Sequence, residues 1–176
     1  MFDRPSFLAS DNPNIRSSGE RIDWDFMRWL REQWRLPLLV KGVLHPADAL
    51  EAVACGLDGI VVSNHGGRQL DGAVSPIEVL PQIHAAVGGR LCIGVDSGFR
   101  RGGDILKAFA LGANFVLCGR PALFGAAVGG EEGVCHALNI LKTEVDRDLA
   151  LMGCTRMASL LPDSVEATPA SSGLLR

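Results

Sequence analysis

The sequence predicts an α/β fold of about four parallel βα units with a closing C-terminal helix. Three observations carry this. Residues 36–40, 59–62, 91–95 and 114–117 are apolar almost throughout rather than alternating, the pattern of strands buried on both faces of a parallel sheet. Each run is followed by residues that open a helix, so strand and helix alternate with short crossovers. The chemically distinctive residues all fall just after the strands, which in a (β/α)8 barrel is the end that carries active sites. Units of this kind build either a doubly wound sheet or a (β/α)8 barrel.

Residues 1–20 are polar and broken by Asp11-Asn12-Pro13-Asn14 and Ser17-Ser18-Gly19, and read as an irregular arm. Asp23 is placed to cap a helix to about Trp34, with Phe26, Met27, Leu30 and Trp34 at helical spacing. The run 36–40 leads into Lys41-Gly42, and Pro46 suits the first turn of a helix to about Cys55. The run 59–62 ends in Ser63-Asn64-His65-Gly66-Gly67, and Ser75-Pro76 opens a helix to about Val87. The run 91–95 ends in Asp96-Ser97-Gly98, before a helix over 102–110. The run 114–117 ends in Cys118-Gly119-Arg120, Pro121 starts a short helix, and 131–152 reads as a long final one. Residues 161–176, with Pro162, Pro169 and Ser171-Ser172-Gly173, read as a disordered tail. The domain proper is therefore expected over 21–160.

A chain of 176 residues is one domain by length. A net charge of -3 without a Lys/Arg run excludes a nucleic-acid footprint. The five cysteines are odd in number and none is spaced C-x-x-C, which speaks for reduced, cytoplasmic thiols and against disulfides or a metal site. The opening residues do not read as a signal peptide, and no apolar stretch suggests a spanning helix. Trp24, Trp29 and Trp34 share the first helix. They either pack on the outside of the fold or form an interface or membrane-facing surface. His45 reads as a loop residue, and His84 and His136 as surface or boundary positions within helices.

Four segments carry chemistry. Lys41 follows a buried strand, where it either points into whatever the mouth of the sheet holds or stands as a solvated lysine on the rim. The loop 63–71, Ser-Asn-His-Gly-Gly-Arg-Gln-Leu-Asp, joins a hydroxyl, an imidazole and a guanidinium. Imidazole moves protons near neutral pH, and guanidinium forks a carboxylate. The loop 96–104, Asp-Ser-Gly-Phe-Arg-Arg-Gly-Gly-Asp, and the run Leu117-Cys118-Gly119-Arg120-Pro121 follow the last two strands. Barrels often bind phosphate there, on backbone N–H groups at a helix start. Arg100 and Arg120 would add charge-assisted contacts.

Over about Ile22 to Leu160 these motifs resemble the FMN-dependent α-hydroxy-acid dehydrogenases and oxidases, with 63–71 as the signature and the two phosphate loops agreeing in type and order. The resemblance implies the C-terminal half of a TIM (β/α)8 barrel and oxidation of an L-2-hydroxy acid to a 2-oxo acid. It implies that Lys41 lies by the flavin N1–C2=O edge, that Ser63 contacts the ribityl or ring region, and that His65 is the catalytic base. It implies that Arg68 holds the substrate carboxylate. Asp96, Ser97, Gly98, Phe99 and Arg100 match the segment around the ribityl chain and phosphate, and Gly119 and Arg120 the second phosphate loop.

The family carries its active-site tyrosines, the carboxylate that orients the histidine and a second substrate arginine on the first four strands and the N-terminal arm. This chain matches none of those segments and has no tyrosine. Half a barrel has two open sheet edges and one uncovered face. The expectation is an incomplete unit, needing an N-terminal half or self-association. The alternative function is a non-catalytic half-barrel that at most binds FMN or phosphate. Ser97, where oxidases of the family tend to have glycine, leans towards a dehydrogenase.

Overall fold

The computed structural model describes residues 22–166. The arm read at 1–20 lies outside the described residues, as do residues 167–176 of the expected tail. The order of elements is α1 (Trp24–Gln33), β1 (Leu39–Val43), α2 (Pro46–Ala54), β2 (Gly59–Val62), α3 (Pro76–Val87), β3 (Cys92–Val95), α4 (Gly102–Ala110), β4 (Phe115–Val116) and α5 (Arg120–Leu151). The strands form one sheet in the order β1-β2-β3-β4, every pair parallel. Sequential parallel order without reversal is that of a barrel segment and not of a doubly wound sheet.

The helices begin where capping chemistry dictates. Asp23 caps α1 by accepting the Phe26 N–H at 2.9 Å. His45 is the N-cap of α2 rather than a plain loop residue: its Nδ1 accepts the Ala47 N–H at 3.1 Å. Pro46 and Pro76 sit in the first turns of α2 and α3. Gly129 and Gly130 are non-helical, so α5 is two helices across a kink, as its sequence predicts.

The first strand is displaced from the expected 36–40. Leu36 O accepts from Arg31, Pro37 has no N–H, and Leu38 N–H donates to Asp58 Oδ2. Those polar groups are taken by side chains, and strand pairing starts only at Leu39. Lys41 therefore lies inside β1, and the register slips between Lys41 and Val43, at Gly42 with φ 102°.

Ile60, Val62, Ile93 and Val95 face α2 and α3 in the main core, together with Leu80, Ile83 and Val87. The opposite face carries the paired row Lys41, Val61, Gly94 and Phe115. Gly94 is required there, because the Phe115 ring occupies the space a Cβ would take. Trp24 packs against the core, whereas Trp29 and Trp34 stand out from the surface. A second cluster joins α4 and α5 to Met157, Leu160 and Val165. The start of the segment read as a tail thus carries a short turn, Pro162–Ser164, and packs on the fold. Among the described residues no helix is long and apolar enough to cross a membrane.

Candidate active site

Strand alternation builds the site. Val61 and Gly94 face away from the helices, so Ser63 and Asp96, two residues further on, return to that same face one step higher. Lys41 reaches both: its Nζ donates to Ser63 Oγ at 2.9 Å and pairs with Asp96 Oδ2 at 2.9 Å. Ser63 is fully buried and its hydroxyl also accepts the His65 N–H at 3.1 Å. Burial pushes the Asp96 carboxyl up, but the Lys41 ammonium and the hydroxyls of Ser63 and Ser97 outweigh it and hold the group below the ordinary carboxylate range.

The His65 loop is a turn of 3-10 helix, His65–Gly67, shaped by the side chains of Asn64 and Ser97. Asn64 Oδ1 accepts the Gly67 N–H at 3.0 Å, and Asn64 Nδ2 donates to Val74 O at 3.2 Å. Ser97 Oγ accepts the Gly66 N–H at 2.9 Å and donates to Asp96 Oδ1 at 2.8 Å. His65 itself is exposed and, with Lys41, lines a groove of about 390 Å³ whose walls are Trp24, Leu38, Val40 and Val43.

Gly66 sits between two arginines. A methyl there would lie 3.6 Å from Arg120 Nη2 and 3.9 Å from Arg68 Cδ. The loop after β2 and the start of α5 therefore meet at one end of the sheet. Arg100 lines a groove of about 360 Å³ with Pro121 of the first turn of α5. Neither Arg100 nor Arg120 has a carboxylate partner among the described residues. The N-terminus of α5, at Gly119, has no side-chain cap. Two unpaired guanidiniums beside uncapped helix N–H groups are a donor set suited to a phosphate dianion.

One residue departs from expectation. Phe99 is 6% exposed and packs in the main core, because an apolar ring gains more there than at a polar mouth. Its side chain is withdrawn from the site. Gly98, with φ 94°, turns the chain between Ser97 and Phe99.

The loop after β3 is anchored by two carboxylates, Asp104 and Glu144. Asp104 Oδ2 accepts from both Arg100 N and Arg101 N at 3.1 Å. Glu144 of α5 is buried and accepts the Gly102 N–H at 2.7 Å and Arg101 Nε at 3.1 Å. The Asp104 contact was signalled by its place three residues into α4. The Glu144 contact spans 42 residues and has no local signal. Among the described residues no group of three or more His, Cys, Asp or Glu is placed to hold a metal ion.

Residues 7–167 match the FMN-dependent dehydrogenase family, so the likeness reaches into the stretch read as an arm. The chain is 51% identical over 151 residues to the (S)-mandelate dehydrogenase of Pseudomonas putida, covering 86% of this chain and 38% of that protein. It is 49% identical over 139 residues to the L-lactate oxidase of a Nostoc species, covering 79% of this chain and 38% of that one. A solved structure of the monotopic membrane protein (S)-mandelate dehydrogenase superposes with a TM-score of 0.80 at 51% identity, covering 84% of this chain and 39% of that one. The chain thus spans about two fifths of the length of the curated relatives it matches.

Proposed function

The chain belongs to the FMN-dependent dehydrogenase family, and we propose that it is the C-terminal catalytic part of an enzyme oxidising an L-2-hydroxy acid to a 2-oxo acid. The observation that carries this reading is the convergence of Lys41, His65, Arg68 and Arg120 on one end of four parallel strands. The donor set fits FMN. Gly119, Arg100 and Arg120 would hold its phosphate, and Lys41 would supply positive charge beside its ring. FMN, when bound, takes up the two electrons of the oxidation.

The chain's own groups do the rest. The His65 imidazole takes a proton from the substrate, the role its accessible position over the groove suits. Arg68 holds the substrate carboxylate through a bidentate fork. Ser63 and Asp96 fix the Lys41 ammonium, so that its charge is in place before any ligand arrives.

β1 and β4 each lack a strand partner on their outer side among the described residues. That, with the greater length of the relatives, supports a barrel completed by an N-terminal portion or by a second copy. The five cysteines are all free, which supports a reducing compartment, the cytoplasm.

The test mixes the purified chain with the N-terminal portion of the mandelate dehydrogenase relative. Flavin content is read by absorbance, and turnover of lactate, glycolate and mandelate with a dye acceptor. Flavin retention and turnover that appear only in the mixture support the reading. A mixture that assembles yet binds no flavin would leave the non-catalytic half-barrel.

A further inference from the structure

Two serine hydroxyls grip consecutive peptide nitrogens of the His65 loop. Ser63 Oγ accepts the His65 N–H at 3.1 Å, and Ser97 Oγ accepts the Gly66 N–H at 2.9 Å. Ser63 is local, whereas Ser97 comes from the loop after the neighbouring strand, 31 residues from Gly66. The two hydroxyls belong to one closed ring. Ser97 donates to Asp96 Oδ1, Asp96 Oδ2 pairs with Lys41, and Lys41 donates to Ser63.

The backbone marks the same two residues. His65, at φ 55°, and Ser97, at φ 76°, are the two described non-glycine residues with positive φ. L side chains avoid this region, and such strain persists only where the surroundings over-determine it. Here Ser97 forms one end of the contact between the two loops, and His65 directly precedes Gly66, which forms the other. Gly98 follows directly at φ 94°, so glycine is compatible with the local path. Position 97 carries a serine that bears the strain and supplies the hydroxyl.

We propose that Ser97 is a positioning residue for His65, acting through the Gly66 N–H rather than through contact with a cofactor. Its hydroxyl docks the His65 loop on the Lys41–Asp96 pair, so that the imidazole is presented at a fixed angle over the groove. The proposal rests on the reading of His65 as the base, and its test separates the two.

Amide exchange by NMR in the 176-residue chain compares wild type with Ser97→Gly and Ser97→Ala. Glycine removes hydroxyl and strain together; alanine removes the hydroxyl and keeps the strain. Gly66 N–H exchange is expected to speed up on the order of tenfold in both, the effect of losing one ordinary hydrogen bond. The melting temperature should fall in Ser97→Ala and hold in Ser97→Gly. Unchanged Gly66 exchange in both variants would overturn the clamp. In a completed barrel, Ser97→Gly should lower kcat roughly tenfold and leave KM and flavin content within about twofold, since misplacing a base costs rate and not binding. Unchanged kcat there would overturn the positioning role and leave the FMN reading standing. A completed wild-type barrel without flavin would sink the FMN reading, and the exchange result would still decide the clamp.

Discussion

Lys41 Nζ lies 2.9 Å from Asp96 Oδ2, tying the first strand of the sheet to the loop after the third across the one between them. The pair is unequal in exposure, with side chains 41% and 17% accessible. Lys41→Met would leave the more buried partner without its cation. The expected loss is about 1–2 kcal/mol, less than for a fully buried pair because water reaches the ammonium. Asp96→Asn added to Lys41→Met should recover part of it. Urea midpoints near pH 7 measure both. A Lys41→Met midpoint equal to wild type would show that the pair carries no weight in folding.

The same carboxylate predicts an acid limb. Burial pushes Asp96 up, but Lys41, Ser63 and Ser97 win, and its folded pKa lies below the unfolded value. The hydrogen bond from Gly102 N–H lowers Glu144 in the same direction, against burial and with help from Arg101. A depressed carboxylate stabilises the fold above its unfolded pKa, about 4, and loses that contribution as pH falls through the folded value. Melting temperature should therefore hold from neutral pH to about pH 5 and drop below about pH 4. Asp96→Asn and Glu144→Gln should each flatten the drop; a steeper limb in either would contradict the assignment.

Gly102, the first residue of α4, lies against Glu144 and Val145 of α5. A Cβ there would stand 2.5 Å from Glu144 Cβ and 2.5 Å from Val145 N, and the backbone nitrogen cannot yield. Gly102→Ala should cost about 1–3 kcal/mol by overpacking and loosen the Arg101–Glu144 contact. Gly103→Ala is the control, since its nearest neighbour is Asp148 Oδ2 at 3.5 Å. Equal thermal stability of the two variants would show that the helices separate at no cost.

What was legible in the sequence was what is local. Unalternating apolar runs set the strand count, Asp23 and Pro76 marked helix starts, and the separate readings of a short helix from Pro121 and a long one over 131–152 agree with the break at Gly129 and Gly130. Convergence of the site residues followed from topology, since loops after parallel strands share one end. What was lost depended on partners far along the chain. The run at 36–40 looked like a strand because Arg31 and Asp58, which occupy its backbone groups, lie outside it. Phe99 sits inside the proposed cofactor-binding segment, but whether a ring faces ligand or core is decided by tertiary packing. The tie from Ser97 to Gly66 and from Glu144 to Gly102 joins residues 31 and 42 apart, which no local pattern announces.

Three substitutions in a completed barrel should separate three roles. His65 bears the proposed base, and its ring is neither a member of the Lys41–Asp96 ion pair nor one of the arginine groups around Gly66. His65→Gln should therefore lower kcat by roughly 10²–10⁴ while flavin content stays at the wild-type level. Arg120 belongs to the uncapped start of α5 and has no carboxylate partner among the described residues, so Arg120→Ala removes a charge from the proposed phosphate grip. It should weaken FMN retention by about tenfold or more, read as flavin lost on dialysis. Arg68 is exposed beside Gly66, so Arg68→Lys keeps the charge and loses the fork. Its main effect should be a KM raised roughly tenfold. The pattern across the three is the test. Flavin lost in His65→Gln but kept in Arg120→Ala would reverse the assignment of the two loops. Wild-type turnover in His65→Gln would remove the imidazole from the reaction and leave the phosphate site as the surviving part of the reading.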